Sequence, residues 1–241
     1  MLLLSPVMAL LVKLFEELFP FPFPDDQVKQ VKESAIRSLI IIFSVIIIGS
    51  VYVVIFPYFS KYLSTLGITV EQSSIYILFT VIVIWAVLHH KESLPSIGIT
   101  KVNLIKSCIL GLLLGIVFCV LNQFLSKTNQ GIQILSVESL IMFLQFIFVG
   151  FGEEIIFRGY LQSRLVAWLG LGKGLLITAI IFSFFHLPNH LIMSGMNFQS
   201  SLINCLRLIP ISLLFGYIMI KTKNIVSGSI LHTVIDWAIQ L

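Results

Sequence analysis

Charge is what this sequence has least of. Only 11% of its 241 residues are Asp, Glu, Lys or Arg, where a soluble domain carries about 25%. That scarcity excludes an ordinary solvated surface. Cysteine is nearly absent too. Cys108, Cys119 and Cys205 lie inside apolar runs with no metal-ligand spacing, so they read as packing residues. No internal repeat, low-complexity tract or second domain is visible. The apolar start of the chain is interrupted by Lys13, Glu16 and Glu17 and has no small-residue cleavage site, unlike a removable signal. The excess of base over acid forms no cluster. Its residues stand singly at the ends of apolar runs, as membrane topology demands, which argues against a nucleic-acid partner.

What the sequence has in plenty is hydrocarbon: 58% hydrophobic residues and a mean hydropathy of +1.05. The expected fold is all-α, a polytopic transmembrane helix bundle forming one integral membrane domain over residues 1–241. Residues 1–24 read as an interfacial or partly inserted helix ending in the breaker run Pro20-Phe21-Pro22-Phe23-Pro24. Spans are expected over residues 38–59, 73–88, 105–125, 139–157, 175–187, 202–220 and 225–241. Residues 91–102 read as a polar connector, 158–171 as an amphipathic interfacial piece, and 189–201 as an uncharged, re-entrant-type loop. Gly111 and Gly115 make a small-xxx-small face suited to close helix contact. With the N-terminus inside, twelve of the fifteen Lys and Arg residues fall inside, and only Lys61, Lys127 and Arg207 fall outside. That asymmetry supports seven spans with the N-terminus cytoplasmic, or eight if residues 1–19 also cross.

The rare charges within the apolar runs are the functional candidates, because an ion in hydrocarbon costs about 3 kcal/mol on insertion scales. Glu153 and Glu154 are adjacent, and Arg158 follows Glu154 by four residues. On a helix Glu154 and Arg158 face each other and neutralise locally. Glu153 points about 100° away and stays free to meet another group. His186 closes the run Phe182-Ser183-Phe184-Phe185-His186, and His232 and Asp236 share one face of the last span. Counting a rise of ~1.5 Å per residue in a ~30 Å core, Glu153 and His232 lie roughly 10 Å below the inner surface and His186 and Asp236 near 16 Å. The expectation is one cavity opening to the cytoplasmic side. A carboxylate beside an imidazole can activate water, and a second imidazole can stabilise an oxyanion. A metal is the competing reading, since Glu and His are acceptable zinc ligands. The His-Glu-x-x-His helix of metalloproteases is missing, however, and no cofactor motif is present.

The ordered set Glu153-Glu154-Ile-Ile-Phe-Arg158, Phe182-Ser-Phe-Phe-His186 and His232-Thr-Val-Ile-Asp236 resembles the CPBP family, the CAAX proteases and bacteriocin-processing enzymes also called Abi proteins, which includes the type II prenyl-protein endopeptidase. The likeness covers residues 137–241, expected to be the catalytic-motif core, and continues through Arg158-Gly159-Tyr160-Leu161-Gln162. It implies a metal-free intramembrane glutamate protease. In that scheme Glu153 and His186 activate water, His232 and Asp236 form the oxyanion site, and Glu154 and Arg158 hold the first motif helix. One position departs: the prenyl-protein proteases carry Asn where this chain has Asp236. An ionised Asp only accepts hydrogen bonds. Asp236 is therefore expected to orient His232 or keep it cationic, leaving His232 as the donor.

Other residues have blander readings. His89 and His90 terminate a span. His190 belongs to a loop, out of helical register with His186 because Pro188 intervenes. Lys106 and Arg207 snorkel. Trp85, Trp168 and Trp237 are anchors or core. Tyr160 can line the substrate entrance, and Asn204 can bond a neighbouring helix. The expected partners are the lipid bilayer and a peptide or protein substrate in or at the membrane. Compactness and abundant Ile and Lys suggest a bacterial cell membrane. Against the protease stand a non-catalytic scaffold or bacteriocin self-immunity protein, and a proton-relay transporter. The transporter reading lacks the repeat symmetry many transporters show.

Overall fold

The computed structural model describes residues 4–21, 31–125 and 136–240. Within them the chain is helical. The helices are α1 (Leu4–Leu18), α2 (Val31–Ser60), α3 (Thr65–His89), α4 (Leu104–Leu125), α5 (Val137–Glu153), α6 (Ser163–Leu169), α7 (Leu171–Phe185), α8 (Phe198–Thr222) and α9 (Val226–Gln240). A π-helical stretch, Glu154–Gln162, joins α5 to α6, and another, Asn189–Met193, follows α7. Six helical runs are long and apolar enough to cross a membrane, and Val226–Ile239 is a shorter apolar helix. The molecule is a polytopic helical bundle of about seven spans. Pro22 to Pro24, Lys29 and Lys127 lie outside the described residues.

Polar side chains set several boundaries. Ser64, Ser136 and Asn197 each precede a helix and accept a bond from its first turn: Gly67 N at 3.2 Å, Ser139 N at 3.0 Å and Ser200 N at 2.8 Å. Each satisfies an N–H that the helix itself leaves without a partner. α3 starts at Thr65, well before the expected residue 73. Glu71 and Gln72 make that segment look polar, but they face protein. Tyr52 donates to Glu71, and Gln145 bonds Gln72.

Helix ends alternate between two faces of the bundle. One face gathers the start of α2, the α3–α4 connector, the α6–α7 turn and the α8–α9 turn. It is called here the basic end, since Arg37, Lys91, Lys101, Arg164, Lys173, Lys221 and Lys223 cluster there. The opposite end carries the α2–α3 turn and the starts of α5 and α8. Two apolar clusters form the core. One joins α2, α3, the π-helical stretch, α6 and α7 around Phe79, Phe157 and Phe182. The other joins α1, α4, α8 and α9 around Met8, Leu114 and Phe215.

α9 sits against both α4 and α5. Glycines let it approach, as the small-xxx-small spacing predicted. A Cβ on Gly111 would stand 2.9 Å from the Ser227 carbonyl oxygen, and one on Gly115 3.2 Å from Val234. Trp237 in turn donates from Nε1 to the Ser139 carbonyl at 3.1 Å.

Three expectations need correction. Residues 158–171 are not an interfacial piece. Every residue from Glu154 to Gln162 is buried, and Val137–Leu169 runs as one 33-residue helical segment. Its arginines find partners inside, which hydropathy alone does not foresee. Residues 189–201 are not a simple loop. The backbone continues through a π-helical turn, and α8 already starts at Phe198. Finally, α1 is docked on α8 and α4, with Met8 and Val12 fully buried. Lys221 Nζ holds Glu16 at 2.7 Å, and Lys106 Nζ donates to the Pro20 carbonyl at 2.6 Å rather than snorkelling freely.

Candidate active site

The π-helical stretch explains how two adjacent carboxylates are turned to different tasks. Widening the helix after Glu153 aims Glu154 and Arg158 together into the bundle. Arg158 is fully buried, with Nη1 3.3 Å from Glu154 Oε1 and Nη2 donating to Ser212 Oγ at 3.1 Å. Its guanidinium lies between two rings, 3.9 Å from the Phe182 centroid and 5.1 Å from that of Phe215. A buried guanidinium is costly unless its charge is paired. Here a carboxylate balances the charge, Ser212 takes the Nη2 donor and two aromatic faces cover the plane, while Nε and Nη1 have no hydrogen-bond partner among the described residues. Removing Glu154 would strand that charge.

Glu154 also fixes a histidine. His232 Nδ1 stands 3.0 Å from Glu154 Oε1. A carboxylate can only accept, so Nδ1 carries the hydrogen and Nε2 is the nitrogen presented to the site. Phe215 stacks on the His232 ring at 4.7 Å and holds its plane. His186 is oriented by the same logic: its Nδ1 lies 3.0 Å from the Phe182 carbonyl, which leaves Nε2 facing inward.

Both Nε2 atoms converge on Glu153. Its Oε2 is 3.8 Å from His186 and 3.7 Å from His232, and it has no hydrogen-bond partner in the protein. Its Oε1 accepts a bond from Tyr76 Oη at 3.1 Å. Asp236 Oδ2 lies 3.5 Å from His232 Nε2. Glu153 is 2% exposed and Asp236 29% at the side chain, so the group passes from a dry floor to a wetter rim. All six sequence-selected residues, Glu153, Glu154, Arg158, His186, His232 and Asp236, thus form one constellation drawn from three separate stretches of chain. Among the described residues no group of three His, Cys, Asp or Glu side chains is set to hold a metal ion.

A cavity of about 390 Å³ opens on Glu153, His186 and Asp236. Its walls are mostly apolar: Phe56, Phe79, Phe146 and Phe185 with Val53, Val149 and Met193. Its polar wall residues include Tyr52, Gln72, Tyr76, Gln145, Asn189 and His190. From Glu153, midway along the Val137–Leu169 run, these residues lead away from the basic end. They climb α5 back to Gln145, α3 back to Gln72, α2 forward to Phe56 and α9 forward to Ile239. The expected opening toward the basic, inner side is therefore corrected.

The basic end is closed by polar pairing. Glu92 meets Arg164, Arg37 at 3.6 Å and Ser34 Oγ at 2.7 Å. Ile97 is fully buried, and a Cβ on Gly159 would stand 2.4 Å from its carbonyl oxygen. Asn224 Nδ2 donates to the Thr100 and Val102 carbonyls at 2.9 and 2.8 Å, and Ile225 N donates to that of Gly98 at 3.0 Å. Charge counting locates the end of a helix but not whether the space beneath it is filled.

Other expectations divide. Tyr160 does not line the entrance: it is 2% exposed, with the Arg164 guanidinium 4.2 Å above its ring. His190 is no detached loop residue. Its amide donates to the His186 carbonyl at 3.0 Å, and the two rings lie 6.5 Å apart, because Pro188 opens the π-helical turn instead of breaking the helix. Asn204 meets Met196 Sδ at 3.1 Å and Arg207 at 3.2 Å, rather than a neighbouring helix. Trp85 and His89 stack at 4.9 Å on the exposed surface. Tyr76, Ser212, Phe215 and Glu92 were missed. Only Glu92, one acid in a short connector, carried a signal that single-sequence reading could have weighed.

Residues 136–238 match the family model described as type II CAAX prenyl endopeptidase Rce1-like. No curated protein and no solved structure matches the chain.

Proposed function

We propose that this chain, whose residues 136–238 match the type II CAAX prenyl endopeptidase Rce1-like model, is an intramembrane CAAX-type protease with Glu153 as its general base. The chain acts as an endopeptidase on a membrane-associated peptide or protein. Its one integral membrane domain spans residues 1–241, with the catalytic core in 137–241.

The observation that carries the reading is Glu153 Oε2. It is buried, without a protein hydrogen-bond partner, and faced by two imidazole Nε2 atoms at 3.8 and 3.7 Å. Polar atoms at that separation are what a bridging water joins. Water bound there donates one proton to Glu153 while His186 Nε2 orients it. Its oxygen attacks the scissile carbonyl carbon. His232 acts as the imidazolium, its Nδ1–H on Glu154 and its Nε2–H kept in place by Asp236 at 3.5 Å, and Nε2–H donates to the oxyanion that forms. When the tetrahedral intermediate collapses, the C–N bond breaks and Glu153 passes its proton to the departing amine. Glu154, itself paired with Arg158, and Phe215 hold the His232 ring, and the Phe182 carbonyl holds that of His186, so that none of this geometry must be assembled during the reaction.

Glu153→Gln tests this. The amide keeps the Tyr76 contact but cannot take a proton. General-base removal is expected to lower kcat by roughly 10²–10⁴-fold with unchanged thermal stability in detergent. Undiminished proteolysis by a normally folded Glu153→Gln protein would overturn the assignment and leave the scaffold reading in its place.

A further inference from the structure

We propose that Gln72 and Gln145 form a main-chain subsite of the cavity, whose side-chain amides hold an extended stretch of substrate backbone roughly three to four residues from the scissile bond. The inference rests on the protease reading for the place of that bond, at Glu153, and on packing for the rest. Gln72 lies on α3 and Gln145 on α5, and both line the cavity that holds Glu153. Gln145 stands eight residues before Glu153 on the same helix, hence ~12 Å away along its axis. Gln72 stands one turn before Tyr76, whose hydroxyl meets Glu153 at 3.1 Å. An extended chain advances ~3.3 Å per residue, which sets the number of residues between the two points.

The pair is incompletely satisfied, and that points to a ligand. Gln145 Nε2 donates to Gln72 Oε1, and Thr69 Oγ1 donates to Gln145 Oε1 at 3.4 Å. A primary amide carries two N–H donors and a carbonyl oxygen with two lone pairs. One donor of Gln145 is therefore spare, and the Gln72 amide nitrogen has no hydrogen bond to a described residue. The same cavity is walled by Phe56, Phe146 and Val149. Donors left open beside hydrocarbon are costly, and a pair of leucines would join the two helices without them.

An incoming peptide has the matching need. Its N–H and C=O groups lose water as it enters a space with apolar walls, and must find partners there. A glutamine side chain offers both functions of a peptide bond in one plane, as the edge of a β-strand does. A helical segment already spends those groups on itself. The substrate chemistry selected is therefore an unwound, extended segment, held by its backbone. Recognition through main-chain atoms leaves the substrate side chains at that point free to vary.

Backbone substitution in a probe peptide tests the contact. The probe is an end-blocked, non-repeating decapeptide of Ala, Val, Leu and Phe, made also as a series in which one backbone amide at a time becomes an ester. Each ester removes an N–H and weakens the adjoining acceptor. Binding to the full-length Glu153→Gln protein is titrated in detergent, so that no cleavage intervenes. One or two neighbouring esters are expected to raise the Kd by roughly three- to tenfold, the usual contribution of one hydrogen bond. In the same background Gln72→Met, which keeps length and apolar packing, is expected to raise the Kd of the parent peptide by a similar factor and to make those same esters harmless. Gln145→Met is expected to do likewise. Such non-additivity marks direct contact. A purely interhelical pair would instead lower the unfolding temperature on substitution and leave the ester pattern unchanged. Parent binding that neither substitution alters would overturn the proposal. So would ester effects of equal size with and without the glutamines, or the lack of any saturable binding. Cleavage of the parent peptide by the unmutated chain then fixes the register. The sensitive ester is expected roughly three to four residues from the cut, and one adjoining the cut would overturn the spacing. Ester coupling without cleavage would count against the general-base reading alone, and cleavage without coupling against the subsite alone.

Discussion

The two ends of this bundle use the same kinds of residue to opposite purpose. At the basic end Glu92 is shared by Arg164, Arg37 and Ser34, and every charge in the cluster has a partner at short range. Half a membrane away, Glu153 sits among Tyr76, His186 and His232 with one oxygen unmatched. The first carboxylate closes a wall. The second is left incomplete at the floor of a cavity. A charge is left available for chemistry where its neighbours fall short of neutralising it, and builds structure where they do not. Glu153 and Glu154 repeat the contrast within one residue step, because Glu154 is consumed by Arg158 and His232.

The sharpest way to break the comparison is at the closed end. Glu92→Ala strands a fully buried Arg164, and loss of one member of a buried ion pair costs about 3–5 kcal/mol. Thermal unfolding in detergent should register a large destabilisation, with kcat of the surviving folded fraction nearly unchanged. Gly159→Ala strikes the same wall through sterics. Its new Cβ would press on the Ile97 carbonyl oxygen, and overpacking of this kind costs about 1–3 kcal/mol. It too should lower the unfolding temperature more than the turnover number.

At the open end the signs reverse. Tyr76→Phe removes only the hydroxyl that binds Glu153 Oε1. A hydrogen bond to a charged group contributes about 1.5–3 kcal/mol, so kcat should fall by roughly ten- to a hundredfold while KM moves little. Steady-state kinetics separates that outcome from a folding defect, which would lower the active fraction without changing KM or the pH profile. The smallest effect is expected at Asp236. Asp236→Asn keeps shape and an acceptor oxygen toward His232 and removes one charge at the half-exposed rim. A modest loss of kcat fits an orienting role. Full activity would show that His232 needs no help beyond Glu154 and Phe215.

How much of this was readable beforehand differs by element. The membrane-spanning character, most helices and the six ionisable residues that the structure brings together followed from local signals. A charge in an apolar run is visible without a fold, because its cost does not depend on which helix lies alongside. The early start of α3 was hidden by Glu71 and Gln72, whose partners Tyr52 and Gln145 are distant in sequence. The buried course of residues 154–162 was hidden likewise, since Arg158 and Arg164 look interfacial until Ser212, Phe182 and Glu92 surround them. His190 was misplaced because Pro188 was given the power to end a helix, when a π-helical turn absorbs it.

Sequence alone determined that this chain lives in a bilayer, which end is basic and which few ionisable groups bear watching, because each of those follows from the free energy of single residues in hydrocarbon. Tertiary structure decided which carboxylate is satisfied, which histidine nitrogen faces the site, and on which side of Glu153 the protein is hollow. Those depend on pairs of groups far apart in the chain, and on whether the space between helices is filled or open, which no single residue encodes.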